Sequence, residues 1–177
     1  TDRPLRPLFP KDLRNDVQVI MYSFSIDDEN PIDILGINAA SAAVMISDAP
    51  WGGPVGAVRI GRVEGEFIVN PTFHQMPVSQ LDLRMPATRD AILMVECGAQ
   101  EVSEEVMLSA LAFGHQAIQP IIDAQLEMQK AIGKPKREYA TTAIADTLRA
   151  SVLERVGGRI SEILTTHIDR DERNAEM

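Results

Sequence analysis

The stretch from Val55 to Asn70, VGAVRIGRVEGEFIVN, leaves this chain the fewest options. Two runs rich in β-branched residues are parted by Glu64-Gly65, where glycine supplies the positive φ of a tight turn, so the stretch predicts a β-hairpin. A two-stranded hairpin is marginal in water and needs more strands, or a helix, over its apolar face. The rest of the chain must supply that cover.

Further strands are predicted on both sides of the hairpin. Val17–Ile26 (VQVIMYSFSI) is apolar on both faces and predicts a strand buried within a sheet. Leu81–Met85 and Ala91–Cys97 predict a second strand pair around Pro86-Ala87-Thr88-Arg89-Asp90. Cover comes from two helices. Asn30-Pro31 opens the first as N-cap and first-turn proline, with Asp33 near its positive end; it continues through LGINAASAAVMI and stops before Pro50. Its small residues Gly36, Ala39, Ala40, Ala42 and Ala43 let it lie close to a sheet. Ser103 caps the second, with Glu104 and Glu105 in its first turn. Its apolar stripe runs through Met107, Leu111, Ile118, Ile121, Ile122 and Leu126, with a kink expected at Pro120 and an end at Gly133 and Pro135. From Lys136 on the chain turns polar and helical, and Leu148, Val152, Val156, Ile160, Ile163 and Leu164 give an amphipathic face interrupted by Gly157-Gly158. The order β-α-β-β-β-β-α followed by more helix is an α+β layout with a helical appendage.

Length and composition set outer limits. The 177 residues suffice for one sizeable domain and a small second module. No apolar run reaches the roughly 20 residues that span a bilayer. The single cysteine, Cys97, fits a reducing compartment, and the expected location is the cytoplasm. Net charge is −9, against a surface coated for nucleic acid, yet Arg3, Arg6, Lys11 and Arg14 crowd the first fourteen residues. Such a patch binds phosphate or is simply solvated, and charge alone leaves both open. The chain lacks an initial methionine, and its end, DRDERNAEM, is charged and aperiodic; the expectation is a piece of a longer protein.

The most site-like stretch is NPTFHQMPVSQLDLRM, Asn70–Met85, with His74, Asp82 and Arg84 in a long loop. Asn70–Leu81 contains no Asp or Glu, so neither acid–base chemistry nor a magnesium site finds enough carboxylates there. His74, His115 and His167 lack partners at zinc spacing, and no Gly-x-Ser-x-Gly elbow is present. Gly52, Gly53 and Gly56 precede a strand without a Lys-Ser/Thr pair, which excludes a phosphate-binding loop. Cys97 has no cation or helix start beside it and reads as inert.

The segments TDRPLRPLFP, LGINAASAAVMISDAPWGGPVGAVRIGRVEGEFIVNPT and LDLRMPATRDAILMVECGAQEVSEEVMLSALAFGHQAI resemble the first ribonuclease PH-like core of bacterial polynucleotide phosphorylases. The resemblance implies the back half of an α+β ribonuclease PH-like core, a mixed sheet packed with helices, over residues 1–135, and the start of an all-helical domain over residues 136–177. It also implies a phosphorolytic 3′-to-5′ exoribonuclease. Inorganic phosphate attacks the terminal phosphodiester of single-stranded RNA, with magnesium assisting, and nucleoside diphosphates leave. The implied assembly is a homotrimeric ring, with degradosome components among the implied partners and no membrane.

The family's chemistry belongs to a second core, so the resemblance implies no catalytic or metal-binding residue in this chain. Aligned on Arg89-Asp90, the two outer catalytic aspartates of that core fall on His74 and Gln80, and Asp82 and Arg84 match its later Asp and Lys. Asp82 and Arg84 then read as structural, held by a local ion pair. Arg3 and Arg6 match the family's Arg-Pro-x-Arg-Pro segment and are expected either to meet RNA phosphates or brace the loop that does, or to pair with carboxylates within the fold. The alternative is a catalytically silent ring subunit of an exosome-like complex, acting as scaffold and RNA guide.

Overall fold

The computed structural model describes residues 1–140 and 144–176, in two compact units, Thr1–Ala140 and Thr141–Met177. The first unit is built on a four-stranded sheet of order β2-β1-β3-β4, with β1 Gly56–Val63, β2 Glu66–Val69, β3 Leu81–Ala87 and β4 Glu96–Ala99. The predicted hairpin is there: β1 and β2 pair antiparallel around Glu64-Gly65, both at positive φ. The α+β class stands, and every strand pair in the described residues is antiparallel, where a mixed sheet was expected.

Register sorts the side chains. Val58 lies opposite Met85 and Ile60 opposite Leu83, so these four share a face. That face is covered by α3, Glu104–Ile132, capped as predicted by Ser103 accepting from the Val106 N–H. Gly114 lets the helix come down on the sheet: a Cβ there would sit 2.4 Å from Met85 Sδ and 3.1 Å from Ile60 Cγ1. The helix assignment continues unbroken through Pro120. The other face carries Ala57 and Arg59 of β1 with Pro86 and Arg84 of β3. Helix α2, Asp33–Ile46, lies along it. It starts later than expected, because Asn30 is drawn into a turn by Asp27, whose carboxylate accepts from the backbone N–H groups of Glu29 and Asn30.

Two expected strands differ. Residues 17–26 form no strand, and Tyr22 and Phe24 are exposed. A strand exists only where a neighbour takes its backbone hydrogen bonds, and none of the four strands does so here. The strand expected from Ala91 begins only at Glu96. Its partner in β3 includes Pro86, whose carbonyl accepts from Leu93 and Met94 but which has no N–H to return. Regular pairing resumes at Arg84 opposite Glu96.

On its β2 side, β1 is paired only from Ile60 onward. The groups before that are taken by side chains. Ser41 Oγ accepts from the Val55 N–H (2.9 Å), Gln125 Nε2 donates to the Val55 carbonyl (2.9 Å), and Ser41 donates to Gln125 Oε1 (2.6 Å). Asn38 makes both bonds to Ala57, accepting at 2.7 Å and donating at 3.0 Å. Asn70, at φ 51°, does the same for Arg59 with its side-chain oxygen and backbone N–H.

The second unit contains α4, Asp146–Thr166, and α5, Arg170–Glu176. Helix α4 runs through Gly157-Gly158, and Leu148, Val152, Val156, Ile160 and Leu164 on it are exposed.

Ser41→Ala strands the Val55 N–H and Gln125 Oε1, and Gln125→Leu strands the Val55 carbonyl. Each is expected to cost about 2 kcal/mol in urea titration, and the double variant less than the sum, because both side chains serve one residue.

Candidate functional site

The loop after β2 is held together by its own side chains and a short turn. Thr72 N–H donates to Gln75 Oε1, Met76–Val78 form a 3₁₀ turn, and the buried Ser79 Oγ accepts from the Arg62 N–H and donates to the Leu81 carbonyl. His74 stands exposed on this loop, away from Asp82 and Arg84 in the strand that follows.

Asp82 and Arg84 project from β3 onto the α2 side of the sheet and meet Arg59, Glu96 and Asp33, of which only Asp33 stood out in the sequence, and as a helix-start residue. Arg59, only 7% exposed, is the centre. Its Nη2 donates to Asp33 Oδ2 at 2.9 Å, and its Nε faces Asp82 Oδ1 at 3.0 Å as an ion pair without an aligned hydrogen bond. Arg84 reaches Asp82 at 2.9 Å, Glu96 at 3.1 Å and Asp33 at 3.7 Å. Burial works against the Arg84 cation, but the hydrogen bond and charge of Asp82, with Asp33 and Glu96, outweigh it and raise its pKa. The expected ion pair is therefore part of a five-membered network. Arg59 was legible in principle: a charge within an apolar strand needs a partner, and the pairing of β1 with β3 sets it opposite Arg84.

This network does not fit magnesium. Each of its three carboxylates already faces a guanidinium, leaving no convergent free oxygens for a hard cation. Among the described residues, no group of three or more His, Cys, Asp or Glu could hold a metal ion. The Cys97 thiol is pushed up in pKa by burial and by the charge of Asp82, so no thiolate is promoted. His115 lies on α3 with Nε2 at 3.2 Å from the Thr88 carbonyl, a packing contact. His167 lies in the second unit, 3.6 Å from Glu172.

The basic segment is pinned from below. Pro4 and Leu5 of α1, Asp2–Leu5, are buried, and Trp51 Nε1 donates to the Leu5 carbonyl at 2.9 Å. Arg3 and Arg6 are left outside. Arg6 forms a bidentate pair with Asp2, Nε to Oδ2 at 3.0 Å and Nη2 to Oδ1 at 2.9 Å, and its side chain is still 76% exposed. This is a surface ion pair within one helical turn, worth little in stability. Arg3 and Arg6 do not join the Asp82–Arg84 network.

Residues 53–117 match the 3′ exoribonuclease family, domain 2. Polyribonucleotide nucleotidyltransferase of Thermomicrobium roseum is 49% identical over 92% of this chain and 20% of its own length. That of Heliobacterium modesticaldum is 46% identical over 99% of this chain and 25% of its own. The chain belongs to the polyribonucleotide nucleotidyltransferase family. It spans about a fifth to a quarter of the length of these relatives. The crystal structure of rice (Oryza sativa) Rrp46 shares the fold, with TM-score 0.53 at 19% identity over 59% of this chain and 51% of that one. The ribonuclease PH-like fold is thus established for the antiparallel sheet and its helices.

Asp82→Ala leaves the buried Arg59 with Asp33 alone and is expected to cost about 3 kcal/mol in denaturant titration; Arg59→Met, which removes the buried charge itself, should cost less. Millimolar magnesium should leave the melting temperature of this chain unchanged.

Proposed function

We propose that this chain is the non-catalytic, ring-forming and RNA-guiding core of a phosphorolytic 3′-to-5′ exoribonuclease. The whole enzyme would degrade single-stranded RNA with inorganic phosphate and release nucleoside diphosphates. The observation that carries the reading is the Asp33–Arg59–Asp82–Arg84–Glu96 network. Where a phosphorolytic core would offer carboxylates to magnesium, this one spends them on two guanidinium groups. The names of relatives 43–49% identical to this chain support the activity class. Magnesium would be held by a second core of the whole protein, and the ring would be a homotrimer working in the cytoplasm on messenger RNA. No described helix is long and apolar enough to cross a membrane.

Arg3 and Arg6 are our choice for RNA contact. Both stand on the exposed side of an anchored turn, and the Asp2 pairing holds the Arg6 guanidinium extended without burying it. An RNA phosphate can compete for such a partly solvated fork, whose geometry suits a bidentate contact.

Two measurements test the reading. Phosphate-dependent release of nucleoside diphosphates from a homopolymer RNA should occur with the full-length protein and be absent with this segment alone; release by the segment would overturn the assignment. Arg6→Glu in the full-length protein should weaken RNA binding severalfold and lower the slope of log affinity against log salt by about one. An unchanged affinity and slope in a folded variant would remove Arg6 from the site.

A further inference from the structure

The last stretch of the first unit runs back along the C-terminal end of α2. The Lys134 N–H donates to the Ile46 carbonyl at 2.9 Å, and the Arg137 N–H to the Asp48 carbonyl at 2.7 Å. Between them, Lys136 Nζ donates to the carbonyls of Val44 (3.0 Å), Met45 (3.0 Å) and Ser47 (2.9 Å). Five consecutive carbonyls, Val44 to Asp48, accept from a segment more than eighty residues away in sequence, Val44 also accepting from the Ser47 hydroxyl at 2.8 Å. A helix leaves its last carbonyls without internal partners and its C-terminus partly negative, so an ammonium with three donors matches this end in number and in charge.

The strap is otherwise lightly held. Arg137 pairs with Asp48 at the surface, at 2.6 Å, and the Tyr139 hydroxyl donates to Asp12 at 3.0 Å. Lys134, Pro135, Arg137 and Glu138 are exposed, and no strap residue belongs to either apolar cluster of the described core. Segments with little buried apolar area open locally at a free-energy cost well below global unfolding. One side chain carries three of the strap's contacts, so its charge decides whether the strap stays down.

We propose that residues 134–139 are a strap that opens as a unit over an intact core, with the Lys136 ammonium as its latch. Burial pushes the Lys136 pKa down, with Asp48 opposing, as fits a cation held mainly by carbonyl dipoles. When the strap lifts, water replaces those dipoles around the ammonium, and the negative end of α2 is uncovered.

Lys136→Gln and Lys136→Arg in the intact protein test this. Amide hydrogen exchange is followed in residues 134–139 and in β1 and β3, with tryptic cleavage at Arg137–Glu138 as a second readout. The glutamine variant should exchange and be cut in the strap at least tenfold faster, with β1 and β3 as protected as in the wild type. The arginine variant should stay close to wild type. Unchanged strap rates with glutamine would overturn the proposal. So would equal loss of protection in β1 and β3, which would make Lys136 part of the core, or an arginine variant as open as the glutamine one, which would take the charge out of the latch.

Discussion

One edge of β1 holds the first unit together. Val55, Ala57 and Arg59 present backbone groups where no strand reaches them, and each is met by side chains: Ser41 and Gln125, Asn38, and Asn70. A buried backbone group left unpaired costs as much as a lost hydrogen bond, so these amides and the hydroxyl are obligatory partners. They also come from different layers. Asn38 and Ser41 lie three residues apart on α2, while Gln125 lies on α3, on the other side of the sheet. Satisfying the edge therefore fixes both helices against the sheet at once. The apolar clusters around Trp51 and around Met85 then fill the space that this polar seam has defined.

The Arg59 network depends on the same strand. Asn70 holds the Arg59 backbone on the edge, and the side chain turns across the sheet face to Asp33 and Asp82. The strand's backbone is thus tied outward and its charge inward. A network so closed is chemically quiet, with two guanidinium groups shared among three carboxylates. A magnesium site needs acids that are free to bind the metal, and here the acids serve the fold.

Local signals were legible where they act alone. Glu64-Gly65 announced its turn, Ser103 its cap, and the stripe from Met107 to Leu126 its buried helix face. Signals that depend on a neighbour misled. Val17–Ile26 has the composition of a strand, but composition cannot supply a partner to take its hydrogen bonds. Ala91–Val95 likewise reads as strand, and the missing N–H of Pro86 across from it decides otherwise. Asn30 is a good cap in isolation, yet Asp27 claims it first. At the site, the absence of carboxylates from the loop was readable residue by residue. The convergence of Asp33, from a helix fifty residues upstream, on Asp82 and Arg84 was not, because no spacing rule joins a helix start to a strand across a sheet.

The segment from Val17 to Ile26 has a further consequence. It is uncharged, free of proline, rich in β-branched and aromatic residues, and exposed along much of its length. Such windows are the sequence signature of stacked, fibre-like assembly when they lie uncovered. The stretch that most looks like the middle of a sheet is thus the stretch most ready to join one in another molecule. For these residues handled by themselves, the concentration of the solution would bear on how long they remain dispersed.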